Sequence, residues 1–304
     1  MKKYYRIMLG KGGSMAETCY RDGYIGADFE INQDLSNELP DDWRVFNRKF
    51  IPVFISARPD KKKVAAGLAC GMLWTICKGL EVDDIVLSPN GSGEYLVGRI
   101  KGGYYYVKGA EFQHRRKVEW SSVKVKRDDM SAELKHSAGA IGTVANISQY
   151  ADELEQLIKE TTPQTPSIVA TSYEIEDPSE FAMEKHLEDF LIKNWKNTPL
   201  GKKYDIYEEE GEMVGEQYPS DTGPIDILAI SKNHKELLVI ELKKGRASDV
   251  VMGQIQRYMG YVQEELAEDG QIVKGVIIGL DCDVRLKRAL SVSHNIEFYK
   301  YKAE

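Results

Sequence analysis

No apolar run in this 304-residue chain approaches the roughly 20 residues that a membrane-spanning helix needs. The first residues, MKKYYRIMLGKGG, start basic, but Arg6 and Lys11 interrupt them before a signal-peptide core can form, so a cytoplasmic protein is expected. Cysteine is sparse. Cys19, Cys70, Cys77 and Cys282 are scattered without a C-x-x-C pair, which excludes the usual zinc spacings and leaves no disulfide framework. These cysteines are expected to be buried small hydrophobes. The five histidines are equally dispersed and give no support to a His-based metal site. Internal repeats and low-complexity tracts are missing. So is a Walker motif: LGKGGS (Leu9 to Ser14) lacks the spacing G-x-x-x-x-G-K-[ST], and no second nucleotide-hydrolase motif follows. That argues against an ATP-driven enzyme and for a plain glycine turn.

What is present is the composition of a soluble globular protein, 42% hydrophobic and 29% charged, long enough for two cores. The net charge of -7 argues against a nucleic-acid partner until its distribution is considered. Nine Lys or Arg residues fall between Arg99 and Arg127, against only Glu111 and Glu119. The acidity lies elsewhere, notably around Glu208 to Glu216. Charge runs are commonly solvated faces, yet this stretch is where a polyanion would dock.

The first half is β-rich. YYRIML reads as a strand, and Ser14 with Glu17 forms a capping box opening a short helix through Cys19. Gly67 to Gly79 reads as a buried helix. Short strands follow (DIVLSP, EYLVGRI, YYYV), split by NGSG and KGG and ending in HRRKVEW, a spacing that suggests a small, strongly curved sheet or barrel. Ser148 is placed to cap a helix through Glu160. ETTPQTPSIVATSYEIEDP carries three prolines and no periodicity. The expected organisation is therefore a domain over 1–160, a linker over 161–178 and a second domain over 179–304. The latter opens with a helix that Asp177 caps and Pro178 enters, with Phe181, Leu187, Leu191 and Trp195 on one side. Glu184 falls near the middle of that apolar side and Glu188 beside it, two acids where a helix normally buries carbon.

A second anomaly lies in GPIDILAISKNHKELLVIELKKG, from Gly223 to Gly245. Leu237 to Leu242 reads as a buried strand, yet Glu241 and Lys243 close it, both on one face by the two-residue period. Asp226 sits in the apolar strand before it, across the SKNHKE turn. Adjacent carboxylates repel unless a cation lies between them, and oxygen-only ligands favour Mg²⁺ or Mn²⁺. An ammonium beside them would steady an attacking water or a phosphate oxygen. An isolated E-x-K is commonly a surface ion pair. The ordered coincidence is what points further: an apolar-face acid, a G-x-x-D strand, an E-L-K strand, then a helix with Gln254 and Tyr258 at i and i+4 on one face.

This order resembles the PD-(D/E)XK, restriction-endonuclease-like superfamily, above all the NucS-like (DUF91) and Mrr-like catalytic domains. The matching segments are GPID (Gly223 to Asp226), VIELKKG (Val239 to Gly245) and GQIQRYMGYV (Gly253 to Val262), followed by VKGVIIG and IEFYKY, over roughly 175 to 304. The resemblance implies an α/β fold with a mixed sheet flanked by helices. Asp226 and Glu241 would be metal ligands, Lys243 the catalytic lysine, Glu184 the helical acid with Glu188 open as the alternative, Gln254 a companion of the active site, and Tyr258 a residue that packs or touches the nucleic-acid backbone. Upstream, VDDIVLSPNGSGEYLVGRIKGGYYYV and HRRKVEW resemble PUA-like and EVE-like modules, a β-rich α+β fold that holds a flipped, often modified, base. That resemblance implies base contacts among Trp43, Trp74, Tyr104, Tyr105, Tyr106 and Trp120, and phosphate contacts from His114, Arg115 and Arg116. Together they imply a Mg²⁺- or Mn²⁺-dependent DNA endonuclease of the type IV, modification-dependent class, active as a homodimer if it cuts both strands. A structure- or mismatch-directed repair endonuclease and a non-cutting nucleic-acid sensor are the alternatives.

Overall fold

Strand β1 (Tyr4–Ile7) is buried at every position, including Arg6, whose guanidinium donates to the carbonyls of Ala140, Gly142 and Thr143. In chain order there follow α1 (Ala16–Asp22), β2 (Tyr24–Ala27), α2 (Trp43–Ala57), α3 (Lys63–Trp74), β3 (Ile85–Pro89), β4 (Glu94–Tyr106), β5 (His114–Lys126), α4 (Ala132–Ala138), β6 (Val144–Asn146) and α5 (Ala151–Glu160). The computed structural model describes residues 2–140, 142–160, 187–209 and 211–301. The chain divides into two units, Met1–Lys61 with Ala69–Ala170, and Lys62–Leu68 with Thr171–Glu304. The expected linker, 161–178, and the residues expected to open the second domain, Asp177 and Pro178, lie outside the described residues.

The first unit holds a six-stranded sheet in the order β2-β5-β4-β3-β1-β6, with β1 parallel to β3 and the other pairs antiparallel. Alternation along the strands sends Tyr5, Val86 and Leu96 into one apolar cluster and Tyr4, Leu87 and Val97 into another on the opposite face. Helix α1 feeds the first cluster through Ala16 and Cys19, and α4 and α5 feed the second through Leu134 and Leu154. EYLVGRI and YYYV are one 13-residue strand, not two. The glycines of KGG fall where the β4–β5 register shifts between Ile100 and Tyr104, so they mark a bulge and not a turn.

The glycines after Leu9 form a left-handed turn, as a plain glycine turn requires. Gly13 has φ +81°, and a Cβ there would stand 2.4 Å from the carbonyl oxygen of Pro89. Ser14 does not cap α1. Its own backbone is already helical, the capping position is Met15, and no side chain caps it. Ser148 likewise turns toward β1, accepting the Tyr4 N–H at 2.9 Å, and α5 starts three residues later. The helix read over Gly67 to Gly79 is the second half of α3 continued by a π turn, Thr75–Gly79. All four cysteines are buried thiols.

The second unit runs α6 (residues 187–194), β7 (Tyr204–Ile206), β8 (Glu208–Glu209), β9 (Glu212–Met213), β10 (Glu216–Ser220), β11 (Gly223–Ser231), β12 (Glu236–Leu242), β13 (Arg246–Ala247), α7 (Val250–Tyr261), β14 (Ile272–Gly279), β15 (Asp281–Cys282), α8 (Val284–Leu290) and β16 (Ile296–Lys300). Its main sheet has the order β10-β11-β12-β14-β16, with β7 also on β11. Pairing is antiparallel from β10 to β12 and parallel from β12 to β16, so the sheet is mixed. Leu191 of α6 and Trp195 just beyond it pack on the face carrying Ile227, Leu238, Ile240 and Val276. Helix α7 packs on β12 and β14. Among the described residues no helix is long and apolar enough to cross a membrane.

Candidate active site

The site is set by strand register. At the β11–β12 turn, Ser231 Oγ accepts the N–H groups of Lys235 and Glu236 at 3.1 and 2.9 Å, which fixes the hairpin. Ile227 then pairs with Ile240, so Asp226 and Glu241 share the next rung. On the other side of β11, Glu216 pairs with Ile227 and Tyr218 with Ile225, which puts Gln217 level with Asp226. Gln217, Asp226 and Glu241 thus form a row across three adjacent strands.

Glu241 is 2% exposed. A carboxylate buried so deeply needs a partner, and Lys243 Nζ lies 3.1 Å from its Oε1. The Lys243 backbone N–H donates to the carbonyl of Ile278 at 2.8 Å, holding this end of the strand against β14. Asp226 Oδ2 accepts the Leu242 N–H at 2.7 Å, and Oδ1 lies 3.3 Å from Gln217 Nε2. The same nitrogen donates to Glu188 Oε2 on α6 at 2.6 Å. From α7, Gln254 Nε2 donates to Tyr258 Oη at 3.3 Å. Burial pushes the Tyr258 phenol above its ordinary pKa; the bond from Gln254 opposes that rise, the negative fields of Glu241 and Asp226 add to it, and Lys243 pulls the other way. Asp226, Glu241, Lys243, Gln254 and Tyr258 therefore share one electrostatic neighbourhood.

Of the two helical acids, Glu188 is buried and joined through Gln217 to Asp226, whereas Glu184 lies outside the described residues. Gln217 is the site residue that sequence reasoning missed. It belongs to no local motif, and only the β10–β11 register reveals its place.

The first unit corrects several expectations. His114 is fully buried, with Nε2 donating to the Ile31 carbonyl at 2.5 Å and Nδ1 accepting from Tyr104 Oη at 3.0 Å. Arg116 is 4% exposed and donates to the carbonyls of Gly102, Ile76 and Cys77. Neither side chain reaches solvent to contact phosphate: Arg116 satisfies carbonyls of the bulge and the π turn, and His114 satisfies the carbonyl of Ile31. Arg115 donates to the carbonyls of Phe112 and Glu111 and lies 3.9 Å from the centroid of the Tyr24 ring. The aromatic residues also have internal partners. Trp74 Nε1 donates to Pro40 O and Trp120 Nε1 to Cys19 O, each at 2.9 Å. Tyr104 Oη accepts from Leu35 N, and Tyr106 Oη donates to Gln113 at 2.7 Å. Trp43 begins α2 half-buried, and Tyr105 is 37% exposed. In the basic stretch, Arg99, Lys101 and Lys124 are paired with Asp83, Glu119 and Glu94, while Lys108, Lys117 and Lys126 are exposed.

Two family models match the chain. Residues 5–148 match a domain of unknown function, DUF8426, and residues 183–302 match the endonuclease NucS C-terminal domain. A curated relative, endonuclease NucS of Methanocaldococcus jannaschii, is 30% identical over 94 residues, 31% of this chain and 34% of the relative; the matched part thus spans about a third of that protein's length. Among solved structures, an EndoMS–dsDNA complex aligns with a TM-score of 0.33 at 13% identity, covering 69% of this chain and 62% of that one. A repair endonuclease from Pyrococcus abyssi aligns with a TM-score of 0.32 at 16% identity, covering 71% and 67%. Over residues 183–302, the part that carries Glu188, Asp226, Glu241 and Lys243, the chain is thus similar to the C-terminal domain of endonuclease NucS.

Proposed function

We propose that this protein is a metal-dependent DNA endonuclease of the structure- or mismatch-directed repair type, with its active site at Glu188, Asp226, Glu241 and Lys243. The observation that carries the reading is that Asp226 and Glu241 lie on one row of a mixed sheet, that Glu188 of α6 is joined to the row through Gln217, and that an ammonium lies 3.1 Å from Glu241; Glu188 and Glu241 are buried. The similarity to the NucS C-terminal domain supports the same reaction class.

The donor set fits a hard divalent cation. All of its ligand atoms are carboxylate oxygens, and neither thiolate nor imidazole is among them, which suits Mg²⁺ or Mn²⁺. Asp226 and Glu241 would hold the ion, with Glu188 completing the acidic set. When bound, such an ion supplies Lewis-acid stabilisation of a phosphodiester under attack and eases deprotonation of water. The chain's own part is separate. Lys243 neutralises Glu241 and presents N–H donors that steady an attacking water or a phosphate oxygen. Gln254 and Tyr258 bound the site from α7, where Tyr258, kept protonated by burial, serves as a hydrogen-bond donor toward the substrate backbone.

The modification-dependent restriction reading is the weaker one, because it asks for an open aromatic cage and most of the candidate aromatics have partners inside the unit. The first unit, with a boundary in 161–178, is retained as a nucleic-acid-reading module on the strength of its basic stretch and its exposed Lys108, Lys117 and Lys126. A homodimer would supply two active sites for double-strand cutting. Cleavage of matched, mismatched and base-modified duplexes, each with Mg²⁺, Mn²⁺ or EDTA, tests the reading. Metal-dependent cutting that prefers mismatched duplex is expected. Cutting confined to modified duplex would restore the restriction reading, and binding without cutting would leave a sensor.

A further inference from the structure

We infer that Gln217 is a built-in stand-in for the cation: in the metal-free protein its amide occupies the oxygens a metal ion would take, and it yields them when an ion arrives. This rests on the metal-dependent reading above and goes beyond it. Asp226 Oδ2 accepts the Leu242 N–H at 2.7 Å, which fixes the carboxylate, and the cation contact is assigned to its other oxygen, Oδ1. That is the oxygen Gln217 Nε2 faces, at 3.3 Å, while the same nitrogen lies 2.6 Å from Glu188 Oε2. Ionised carboxylates only accept hydrogen bonds, so the amide must turn its NH₂ end toward both. A partial positive charge thereby sits between two acids from different elements, where a divalent ion would sit.

The backbone bears the same mark. Gln217 lies inside β10 with φ +49°, the left-handed region, which a glutamine rarely adopts and a strand never requires. Such an outlier persists where surrounding structure demands it, and the contacts of this side chain supply the demand. Strand β10 is also the last strand of its sheet, and Gln217 is only half-buried, so the amide can leave without opening the core.

A stand-in stabilises the metal-free state and is displaced on binding, so removing it must tighten binding. A group that merely organises metal ligands does the opposite. The test is titration of the full chain with Mn²⁺ alone, without DNA, by calorimetry, in the parent and in Gln217→Gly and Gln217→Asn. Glycine accepts φ +49° without strain and so preserves the fold. Asparagine tolerates the same backbone and is one methylene too short to bridge both acids. The glycine variant should bind Mn²⁺ at least about tenfold more tightly, the equivalent of one charge-assisted hydrogen bond lost from the metal-free state. The asparagine variant should move in the same direction, and the Mn²⁺-induced rise in Tm should be larger in both variants than in the parent. Unchanged or weaker Mn²⁺ binding in the variants overturns the stand-in role and leaves the metal site intact. A parent that binds no Mn²⁺ overturns both this inference and the metal-dependent reading.

Discussion

At Asp226 the two carboxylate oxygens are not equivalent: one is tied to the Leu242 N–H, the other faces Gln217 and the acidic row. The consequence is a carboxylate held in one orientation by the backbone of the strand that also carries Glu241. Asp226→Ala and Glu241→Ala are therefore expected to lower cleavage by more than the ~10–100-fold typical of losing an outer-shell partner, with DNA affinity in EDTA nearly unchanged. Gel-based cleavage and binding assays on the same preparations check this, and a Glu241→Ala protein that cuts normally places the site elsewhere. Lys243→Ala should slow cleavage while sparing Mn²⁺ binding, since it removes a donor and not a ligand. Glu188→Gln should reduce metal-dependent cutting by about 10-fold or more. Full activity in that variant, with loss in Glu184→Gln, would move the helical acid one turn back.

At the scale of elements, β5 shows how a cationic sequence is spent on folding. Arg116 satisfies carbonyls of the π turn after α3 and of the β4 bulge, groups that neither a helix nor a ladder covers. Arg116→Ala should destabilise the protein by at least about 2 kcal/mol, since buried carbonyls lose a charged donor. Thermal melting reads the loss, and a variant that melts like the parent but binds DNA weakly would return Arg116 to the nucleic-acid surface. His114 makes a pH-dependent contribution of defined sign. Burial lowers its pKa, against smaller raising effects from the Ile31 carbonyl, Asp28 and Asp34. The unfolded chain therefore takes up a proton that the folded imidazole resists, and the associated stability is present above the ordinary histidine pKa of ~6.5 and lost as pH falls below it. The parent should lose more Tm between pH 7.5 and 5.5 than His114→Gln does.

For the molecule as a whole, a net charge of -7 coexists with a basic stretch, and DNA binding should register that contrast as salt dependence. Each phosphate contact releases counterions, so replacing Lys108, Lys117 and Lys126 with Ala should flatten the slope of log affinity against log salt by up to about one per lysine that touches DNA. Full-length protein titrated against labelled duplex at several salt concentrations measures this. An unchanged slope would assign the DNA contacts to the second unit.

The meeting of Asp226 with Glu241 was legible in the chain because strand alternation and hairpin register are local. Once GPID and VIEL are read as paired strands, Asp226 and Glu241 must meet, and Lys243 must follow Glu241 to the same face. The mixed sheet was expected from the family resemblance, and the burial of the cysteines from their scattered positions. Three-dimensional packing alone decided the rest. Whether Arg116 faces water or carbonyl groups depends on where the π turn and the bulge leave acceptors, and His114 meets its acceptor, Ile31, 83 residues away, so no local pattern encodes either. Gln217 enters the site through a partner strand and a left-handed residue, neither of which a periodicity can announce. Charge in a sequence shows what a residue can bind; only the fold shows what it has already bound.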